Sequence, residues 1–479
     1  MSQVKHRMSP VPARRSTLQR HVLALAALAL LAGCAVSPVY EVPATAAPVA
    51  FKEAAGWQPA APADMLERGA WWTLFGDAQL NQLAEGIDIS NQNVAAAIAS
   101  YEQARALVRE QRASLFPTVS LSGSGTRAGG GGEQQTANNY RAALGASWEP
   151  DIWGRLRAGV TGADASASAS AADLAAARLS AQGELATNYF SLRQSDAQIA
   201  LLNSTIEGYQ RVLDITRNRF SSGIAAKSDL LQAQTQLANA QIDLSSQVRA
   251  RAQLEHAIAI LLGRAPSDFT LAVAPWTVTV PDVPVGVPST LLQRRPDIAA
   301  AERRVALANE QIGIARSAYY PSLSLTGSYG SGASKVGDLF NASSSLWSFG
   351  LSAAQTLFNA GATTASVDAA KAGHEAAVAR YRQTVLTAFG SVEDQLSATR
   401  ALAEQIDLRR QASAAADEVE QQMLNRYNAG QVGYTEVVTA QVTALSARRQ
   451  LVQAQADRQT TAVALIQALG GGWQATQLQ

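Results

Sequence analysis

The sequence predicts a mainly α-helical chain that also contributes strands to a membrane β-barrel, arranged as two repeats of helix–strand–strand–long helix–helix. Three observations lead to this fold class. Alanine is the commonest of the 479 residues and only 6% are aromatic, a composition that suits long helices packed through small side chains. The two halves of the chain resemble each other, and each contains a very long stretch without proline.

Residues 1–33 have the features of a bacterial lipoprotein signal peptide. A basic segment precedes an apolar run, starting at His21, that is too short to span a bilayer as a helix. The run ends in Leu31-Ala-Gly-Cys34, which resembles the lipobox, in which the cysteine becomes the lipid-modified first residue. The alternative is an ordinary signal peptide with an incidental cysteine. We therefore expect lipidation at Cys34, followed by an extended tether at 34–70.

The residue after this cysteine indicates where the protein goes. Residue 35 is alanine rather than aspartate, and by resemblance to bacterial lipoproteins this favours sorting to the outer membrane. Outer-membrane lipid is therefore an expected partner, with Cys34 as an anchor and not as a nucleophile.

Composition excludes several kinds of site. Cys34 is the sole cysteine, and the histidines are His6, His21, His256 and His374, so no Cys/His zinc cluster or disulfide framework is available. No phosphate-binding Gly-x-x-x-x-Gly-Lys-Ser/Thr loop occurs. The mature chain is slightly acidic, which gives no support for nucleic-acid binding. We expect a non-enzyme without cofactor or metal.

A duplicated unit follows the tether. Asn218-Arg-Phe-Ser-Ser-Gly223 recurs as Asn425-Arg-Tyr-Asn-Ala-Gly430, and Leu115-Phe-Pro-Thr-Val-Ser-Leu-Ser-Gly123 matches Tyr319-Tyr-Pro-Ser-Leu-Ser-Leu-Thr-Gly327. Two separated motifs that match in the same order indicate two copies of one plan. The expected domains are repeat 1 at 71–263, an irregular, proline-rich equatorial linker at 264–290, repeat 2 at 291–470 and a C-terminal tail at 471–479.

Each repeat contains two segments of alternating polarity. The expected strands are about 118–127 and 140–148 in repeat 1, and about 322–330 and 346–354 in repeat 2. Leu144 and Trp148 fall on one face of the second strand, and Arg141 and Ser147 on the other. A half-buried strand of a soluble sheet and a membrane barrel strand both give this pattern. The expected location in the outer membrane favours the barrel strand.

Four strands cannot close a membrane barrel. Bacterial barrels need at least about eight strands, and an open edge in lipid would leave backbone groups without hydrogen bonds. The chain is therefore expected to assemble with copies of itself. Three copies would supply twelve strands, whereas an eight-stranded barrel from two copies would be filled by its own side chains, so a channel favours a homotrimer.

The proline-free stretches predict helices too long for a globular bundle. Long helices are expected at about 155–221 and 362–429, each extending about 100 Å at 1.5 Å per residue. Each is followed by a glycine suited to a helix end, Gly223 or Gly430, and then by a shorter helix. Leucines at seven-residue spacing in the first shorter helix, as at Leu230, predict coiled-coil pairing at the hairpin tips.

At this point the chain resembles the TolC-like outer membrane factors, in the lipoprotein branch of tripartite RND-type efflux systems. The residues that carry the resemblance are Trp71-Trp-Thr-Leu-Phe-Gly-Asp77, Leu291-Leu-Gln-Arg-Arg-Pro-Asp-Ile298, Ala301-Glu302, Ile312-Gly-Ile-Ala-Arg-Ser-Ala-Tyr-Tyr-Pro-Ser-Leu-Ser-Leu325 and Asn425-Arg-Tyr-Asn-Ala-Gly430. The resemblance implies a homotrimer with a twelve-stranded outer-membrane barrel and a periplasmic α-helical tunnel. It also implies a periplasmic adaptor and an inner-membrane transporter as partners, and a passive exit duct for drugs or other small molecules as function.

The resemblance further implies a gate at the periplasmic end. In the family, residues on the helix after the Arg-Tyr-x-x-Gly turn close the tunnel; they correspond to Thr435 and Thr439, with Ser228 and Gln232 as counterparts in repeat 1. Family members commonly have aspartate at the position of Thr439, and three threonines would not form the cation-binding ring that three aspartates would. These residues are alternatively plain polar lumen lining. The expected adaptor-facing tips are Gly223, Asp229, Gly430 and Glu436.

Other functions remain open at this point. The same channel fold could serve heavy-metal export or type I protein secretion, although the chain has only four methionines for a thioether relay. A pore-less, lipid-anchored coiled-coil stalk would explain the anchor, the leucine spacing and the alanine content. It would not explain duplicated amphipathic strands.

Overall fold

The structure, a computed structural model, describes the residue ranges 36–45, 47–48, 50–54, 70–129, 137–276, 278–281 and 294–471. The predicted signal peptide, Cys34 and nearly all of the predicted C-terminal tail lie outside these described residues. Within them, no helix combines the length and the apolar character that a bilayer-spanning helix requires.

The described residues form seven α-helices and four β-strands, apart from short 3₁₀ turns. In the first repeat these are α1 (Ala78–Ser90), α2 (Gln92–Ala113), β1 (Thr118–Ala128), β2 (Ala137–Trp148), α3 (Arg155–Ser221) and α4 (Lys227–Leu261). In the second they are α5 (Pro296–Ser317), β3 (Ser322–Ala333), β4 (Ser345–Ala354), α6 (Ala362–Asn428) and α7 (Tyr434–Ala468). The predicted order of helix, two strands, long helix and helix is confirmed in both repeats.

The two repeats agree in the length of their helices. α2 and α5 each have 22 residues, α3 and α6 each have 67, and α4 and α7 each have 35. The strands extend slightly beyond their expected ranges at the loop ends, because backbone pairing continues to Ala128 opposite Ala137 and to Ala333 opposite Tyr140. Equal lengths let positions in one repeat be compared directly with positions in the other.

The helical segment before β1 is interrupted at Asn91, which separates α1 from α2. The Asn91 side chain accepts hydrogen bonds from the backbone N–H groups of Asn93 (2.9 Å) and Val94 (3.0 Å), which is the geometry of a helix N-cap. Its amide nitrogen donates to the Leu261 carbonyl (2.7 Å) at the end of α4. Asn91 therefore ends α1, starts α2 and ties both to α4.

The four strands form one antiparallel sheet in the order β1-β2-β3-β4. The central pair, β2 and β3, joins the two repeats, because Leu144 lies opposite Tyr329 and Trp148 lies opposite Leu325. β1 and β4 are the edges of the sheet, and each has one side without a partner strand in the part of the chain that the structure describes.

The chain divides into two compact units, which are described separately. The strand unit comprises Met1–Pro43, Gln103–Ala167 and Arg303–Ala379, and contains the sheet. The helical unit comprises Ala44–Glu102, Ser168–Glu302 and Arg380–Gln479. In the strand unit, Ala104 and Val108 of α2 form a buried cluster with Ala167 of α3.

The predicted equatorial linker contributes to the helical unit. Its described residues, 264–276 and 278–281, contain one short 3₁₀ turn, Pro266–Asp268. Phe269 and Leu271 of this segment are buried, and the Trp276 indole donates to the Gln459 side chain of α7 (2.8 Å). The segment therefore packs against helices although it has little regular structure of its own.

Candidate functional site

One face of the sheet is a continuous apolar surface. A row of large side chains crosses all four strands, since Leu121 lies opposite Leu144, Leu144 opposite Tyr329, and Tyr329 opposite Trp347. These four side chains are 80%, 50%, 64% and 79% exposed in the single chain. An apolar patch of this extent on one surface is a signature of a protein or membrane contact.

The opposite face of the sheet is lined by small polar residues. Ser120 lies opposite Gly145, Gly145 opposite Ser328, and Ser328 opposite Ser348. The two serine hydroxyls at the end of this row are 2.8 Å apart and hydrogen-bonded. One apolar and one small-polar face is the pattern of a strand between lipid and a water-filled lumen.

Two helical hairpins, α3–α4 in the first repeat and α6–α7 in the second, turn at the predicted glycines. Gly223 has a φ of +70° and Gly430 a φ of +74°, a left-handed conformation that a side chain with a Cβ adopts only with strain. Backbone hydrogen bonds close both turns, from Ile224 to the Arg219 carbonyl (2.8 Å) and from Gln431 to the Arg426 carbonyl (2.9 Å). Glycine is therefore required at both tips by backbone geometry.

The first turn after each tip carries an acidic residue. Asp229 lies in the first turn of α4 and Glu436 in the first turn of α7. A carboxylate at a helix N-terminus interacts favourably with the helix dipole. Both predicted tip carboxylates thus stabilise the start of their own helices.

The structure brings two of the predicted gate residues together across the hairpins. Thr435 Oγ1 lies 3.5 Å from Gln232 Oε1, which joins α7 to α4. The Thr439 hydroxyl instead donates to the Thr435 carbonyl (2.9 Å) within its own helix, and the Ser228 hydroxyl donates to Asp229 Oδ1 (3.2 Å). Among the four predicted gate residues, Thr435 and Gln232 therefore contact each other directly across the hairpins. Thr439 lies one turn further along α7.

A groove between α6 and α7 passes the same threonines. Its volume is about 590 Å³, and its polar lining comes from Thr435, Glu436, Thr439 and Thr443 of α7. The α6 side contributes only apolar side chains: Ala412, Ala415, Ala416, Val419 and Met423. Glu436 is the one charged side chain in a surface that is otherwise neutral.

An aromatic core under the tips was not predicted from the sequence. The hydroxyls of Tyr427 and Thr216 lie 3.3 Å apart, and the Arg219 guanidinium donates to the Tyr427 carbonyl (2.8 Å) while lying 4.6 Å from the centre of its ring. Tyr434 packs beside Tyr427 and is only 2% exposed, and burial raises its pKa. The one sequence signal was the tyrosine in the repeated turn motif, where repeat 1 has Phe220.

A buried charge network was also missed. Arg193 of α3 is 2% exposed and donates to Asp196 (3.0 Å) and to the Ala272 carbonyl of the linker (2.9 Å). Arg251 of α4 approaches the other oxygen of Asp196 (2.6 Å). Burial, and then the hydrogen bond to Asp77, raises the pKa of Tyr189 to about 12. The network fastens the linker to two helices.

These features define a class of protein. The chain combines an amphipathic four-stranded sheet that has an exposed apolar face with two very long helical hairpins. This combination is the architecture of an outer-membrane channel. The chain belongs to the outer membrane efflux protein family, whose model matches residues 85–264 and 287–471.

Individual members of the family are similar over nearly their whole length. The chain is 32% identical over 467 residues to the probable efflux pump outer membrane protein TtgC of Pseudomonas putida, which covers 95% of this chain and 96% of TtgC. It is 30% identical over 448 residues to the cation efflux system protein CusC of Escherichia coli, covering 93% and 97%. Its fold matches the outer-membrane channel OprN with a TM-score of 0.85 at 31% identity, covering 92% and 100%.

The predicted family, outer-membrane location and efflux function are confirmed by these similarities. The relatives are efflux channel proteins. The chain is an outer-membrane efflux channel.

Proposed function

We propose that three copies of the chain close their sheets into one twelve-stranded barrel and form the passive outer-membrane duct of a tripartite efflux pump. The open edges of β1 and β4 carry this proposal. Unpaired strand edges are not tolerated in lipid, and a barrel formed from several chains removes them. The exposed apolar row from Leu121 to Trp347 then faces lipid, and the serine row faces the lumen.

The duct serves drugs or other small molecules and performs no catalytic step. Apart from Glu436, the groove beside Thr435 and Thr439 is uncharged and largely apolar, which suits organic compounds. Cation export, the activity in the name of CusC, would draw on carboxylate or thioether ligands, and this groove offers only Glu436 and Met423. Specificity then resides in the inner-membrane transporter.

The hairpin tips are the gate and the docking site for a periplasmic adaptor. Gly223 and Asp229 form one tip, and Gly430 and Glu436 form the other. The contact between Thr435 and Gln232 crosses from one hairpin to the other, so separating the hairpins breaks it. Adaptor binding at the tips therefore opens the duct by moving α7 away from α4.

Lipidation of Cys34 adds an anchor in the outer membrane. Cys34 lies outside the described residues, but Val36 is held in the strand unit, where its N–H donates to the Trp153 carbonyl (3.4 Å). The Asn309 amide donates to the Pro38 carbonyl (2.9 Å), and a side chain at Gly313 would collide with Ser37. Residues 36–38 of the tether are thus fastened to Trp153 and to α5.

The first experiment measures the mass of the membrane-extracted protein, corrected for bound detergent. Three chains per particle are expected. A monomeric particle would leave the sheet edges unpaired and would overturn the barrel.

Two neighbouring residues of β4 then test which face meets lipid. Phe349→Lys places a charge on the apolar face, at a cost of about 2–4 kcal/mol at mid-membrane, and is expected to reduce the amount of trimer in the outer membrane. Ser348→Lys on the other face is the matched control, expected to assemble normally and to change ion selectivity in bilayer recordings. Normal assembly of Phe349→Lys together with loss of Ser348→Lys would reverse the assignment of the faces.

A further inference from the structure

The two repeats differ in charge at one equivalent pair of positions in the strand unit. In the first repeat, Arg112, the last residue but one of α2, lies 3.1 Å and 3.2 Å from the two carboxylate oxygens of Asp164 in α3. The equal helix lengths make Arg316 of α5 the counterpart of Arg112, and Lys371 of α6 the counterpart of Asp164. An ion pair in repeat 1 is therefore replaced by two cations in repeat 2.

Both cations line one pocket. Arg316 and Lys371 border a cavity of about 270 Å³, together with Asp368, Tyr319 and Tyr320. Lys371 Nζ lies 3.2 Å from Asp368 Oδ1, whereas Arg316 forms no ion pair with any residue that the structure describes. Two cations and one carboxylate leave the pocket with net positive charge, a setting that favours an anion.

Two tyrosines line this pocket, and a tryptophan packs against one of them. Tyr320 stacks on Trp153 with ring centres 4.7 Å apart, and the Trp153 indole donates to the Pro321 carbonyl (2.7 Å), immediately before β3. The Tyr319 hydroxyl donates to the Thr364 hydroxyl (3.1 Å) at the start of α6. Tyr and Trp with one apolar side and one hydrogen-bonded end are enriched where a membrane meets water.

The tether reaches the same place. Val36 lines the pocket and is hydrogen-bonded to Trp153, and it follows the predicted lipidated Cys34 by two residues. The end of the membrane strands, an interfacial aromatic pair and the first described residue of the tether therefore coincide at this pocket. Under the proposed function, the pocket lies at the level of the lipid headgroups.

The geometry points to a headgroup site for an amine-bearing phospholipid, with Arg316 and Lys371 binding the phosphodiester and Asp368 binding the ammonium group. A guanidinium presents a planar fork of donors that matches phosphate oxygens, and an ammonium adds a compact charge. The pocket is smaller than the roughly 300–1,000 Å³ of sites that enclose drug-sized molecules, so it suits a headgroup and not a whole lipid.

The inference rests on the proposed membrane location of the sheet and is tested on the full-length, membrane-extracted protein. Retained lipid is measured by native mass spectrometry after addition of phosphatidylethanolamine, phosphatidylcholine or diacylglycerol. One phosphatidylethanolamine per chain is expected, with weaker retention of phosphatidylcholine and none of diacylglycerol, which has no phosphate.

The informative variant is Lys371→Asp, which gives repeat 2 the charge pattern that forms an ion pair in repeat 1. It is expected to keep the fold and to weaken phosphatidylethanolamine retention by about tenfold or more, and Arg316→Gln is expected to do the same. Arg112→Gln in repeat 1 is the matched control and leaves retention unchanged.

Three results would overturn the headgroup site. They are equal retention in Lys371→Asp and wild type, equal retention of diacylglycerol, and displacement of lipid by millimolar inorganic phosphate, which would identify a free-anion site. The particle mass separates this failure from failure of the proposed function. A trimer that retains no lipid refutes the site alone, whereas a monomer refutes the barrel.

Discussion

The two repeats have the same backbone plan but use equivalent positions differently. In the second hairpin, Tyr427 and Tyr434 are 3% and 2% exposed and form the core under the tips. Their counterparts in the first hairpin are Phe220, 38% exposed, and Lys227, which is also exposed. The second hairpin therefore supplies two of the three buried tyrosines of this core, whereas the first supplies Tyr209 together with aliphatic side chains.

This difference shows that the two repeats share their backbone features but differ in their side chains. Equal helix lengths and a glycine at each tip are retained because they place both hairpins in register. Side chains at equivalent positions are free to diverge, because each hairpin meets different neighbours. A functional role assigned to one repeat does not transfer to the other by position alone.

The largest expected contrast lies between Arg193 and its counterpart Arg400. Arg193 is buried with Asp196, whereas Arg400 pairs with Glu53 (3.2 Å) at the surface, its side chain 43% exposed. Arg193→Ala removes one of the two arginines that pair with the buried Asp196 and leaves only Arg251. It is expected to cost about 3 kcal/mol of unfolding free energy. Arg400→Ala is expected to cost about 0.5 kcal/mol, as is usual for surface pairs.

Heat-induced loss of helical circular dichroism measures both variants in detergent. The melting temperature of Arg193→Ala is expected to fall by several degrees, while that of Arg400→Ala stays near wild type. Equal melting temperatures for the two variants would show that the buried network does not hold the linker to the helices.

The proposed gate offers a second contrast, between Thr439 and its counterpart Gln232. Thr439→Asp would place three symmetry-related carboxylates in the trimer and is expected to raise the permeability of cations relative to anions several-fold. Thr439→Val, which has nearly the same shape but no charge, is the control.

Planar-bilayer recordings across a salt gradient report this selectivity directly. Gln232→Glu is expected to change selectivity in the same direction, because its side chain meets Thr435 of the other hairpin. If Thr439→Asp leaves selectivity and conductance unchanged, Thr439 does not line the lumen.

The smallest effect concerns Glu420, whose counterpart in repeat 1 is the buried Leu213. Burial raises the pKa of the Glu420 carboxyl, and the nearby Arg448 (2.7 Å) opposes this only partly. A raised folded-state pKa means that the protonated form is favoured in the fold, so its contribution to stability is present at low pH and lost as pH rises through that pKa. Glu420→Gln is therefore expected to gain stability relative to wild type as pH rises.

Melting temperatures of wild type and Glu420→Gln between pH 4 and pH 8 check this sign. The two are expected to converge at the acidic end. A difference that stays constant with pH, or that favours wild type as pH rises, would contradict the dominance of burial over the Arg448 ion pair.

Local sequence patterns were sufficient for the elements and their order. Alternating polarity predicts strands, unbroken alanine-rich stretches predict long helices, and glycine at 223 and 430 predicts the turns. The internal repeat also showed which element of the first half corresponds to which element of the second. These signals survive because they depend on backbone conformation and on which face of each element is apolar, both of which are encoded by near neighbours in the chain.

Contacts between distant segments were decided only by the tertiary structure. The break at Asn91 depends on a carbonyl of α4, the Arg193 network depends on the linker, and Arg316 and Lys371 share a pocket although 55 positions separate them in the chain. Hydrogen bonds and ion pairs of this kind need side chains to meet at distances of about 3 Å. Sequence spacing does not specify such distances across separate helices, so these sites become visible only once the helices are packed.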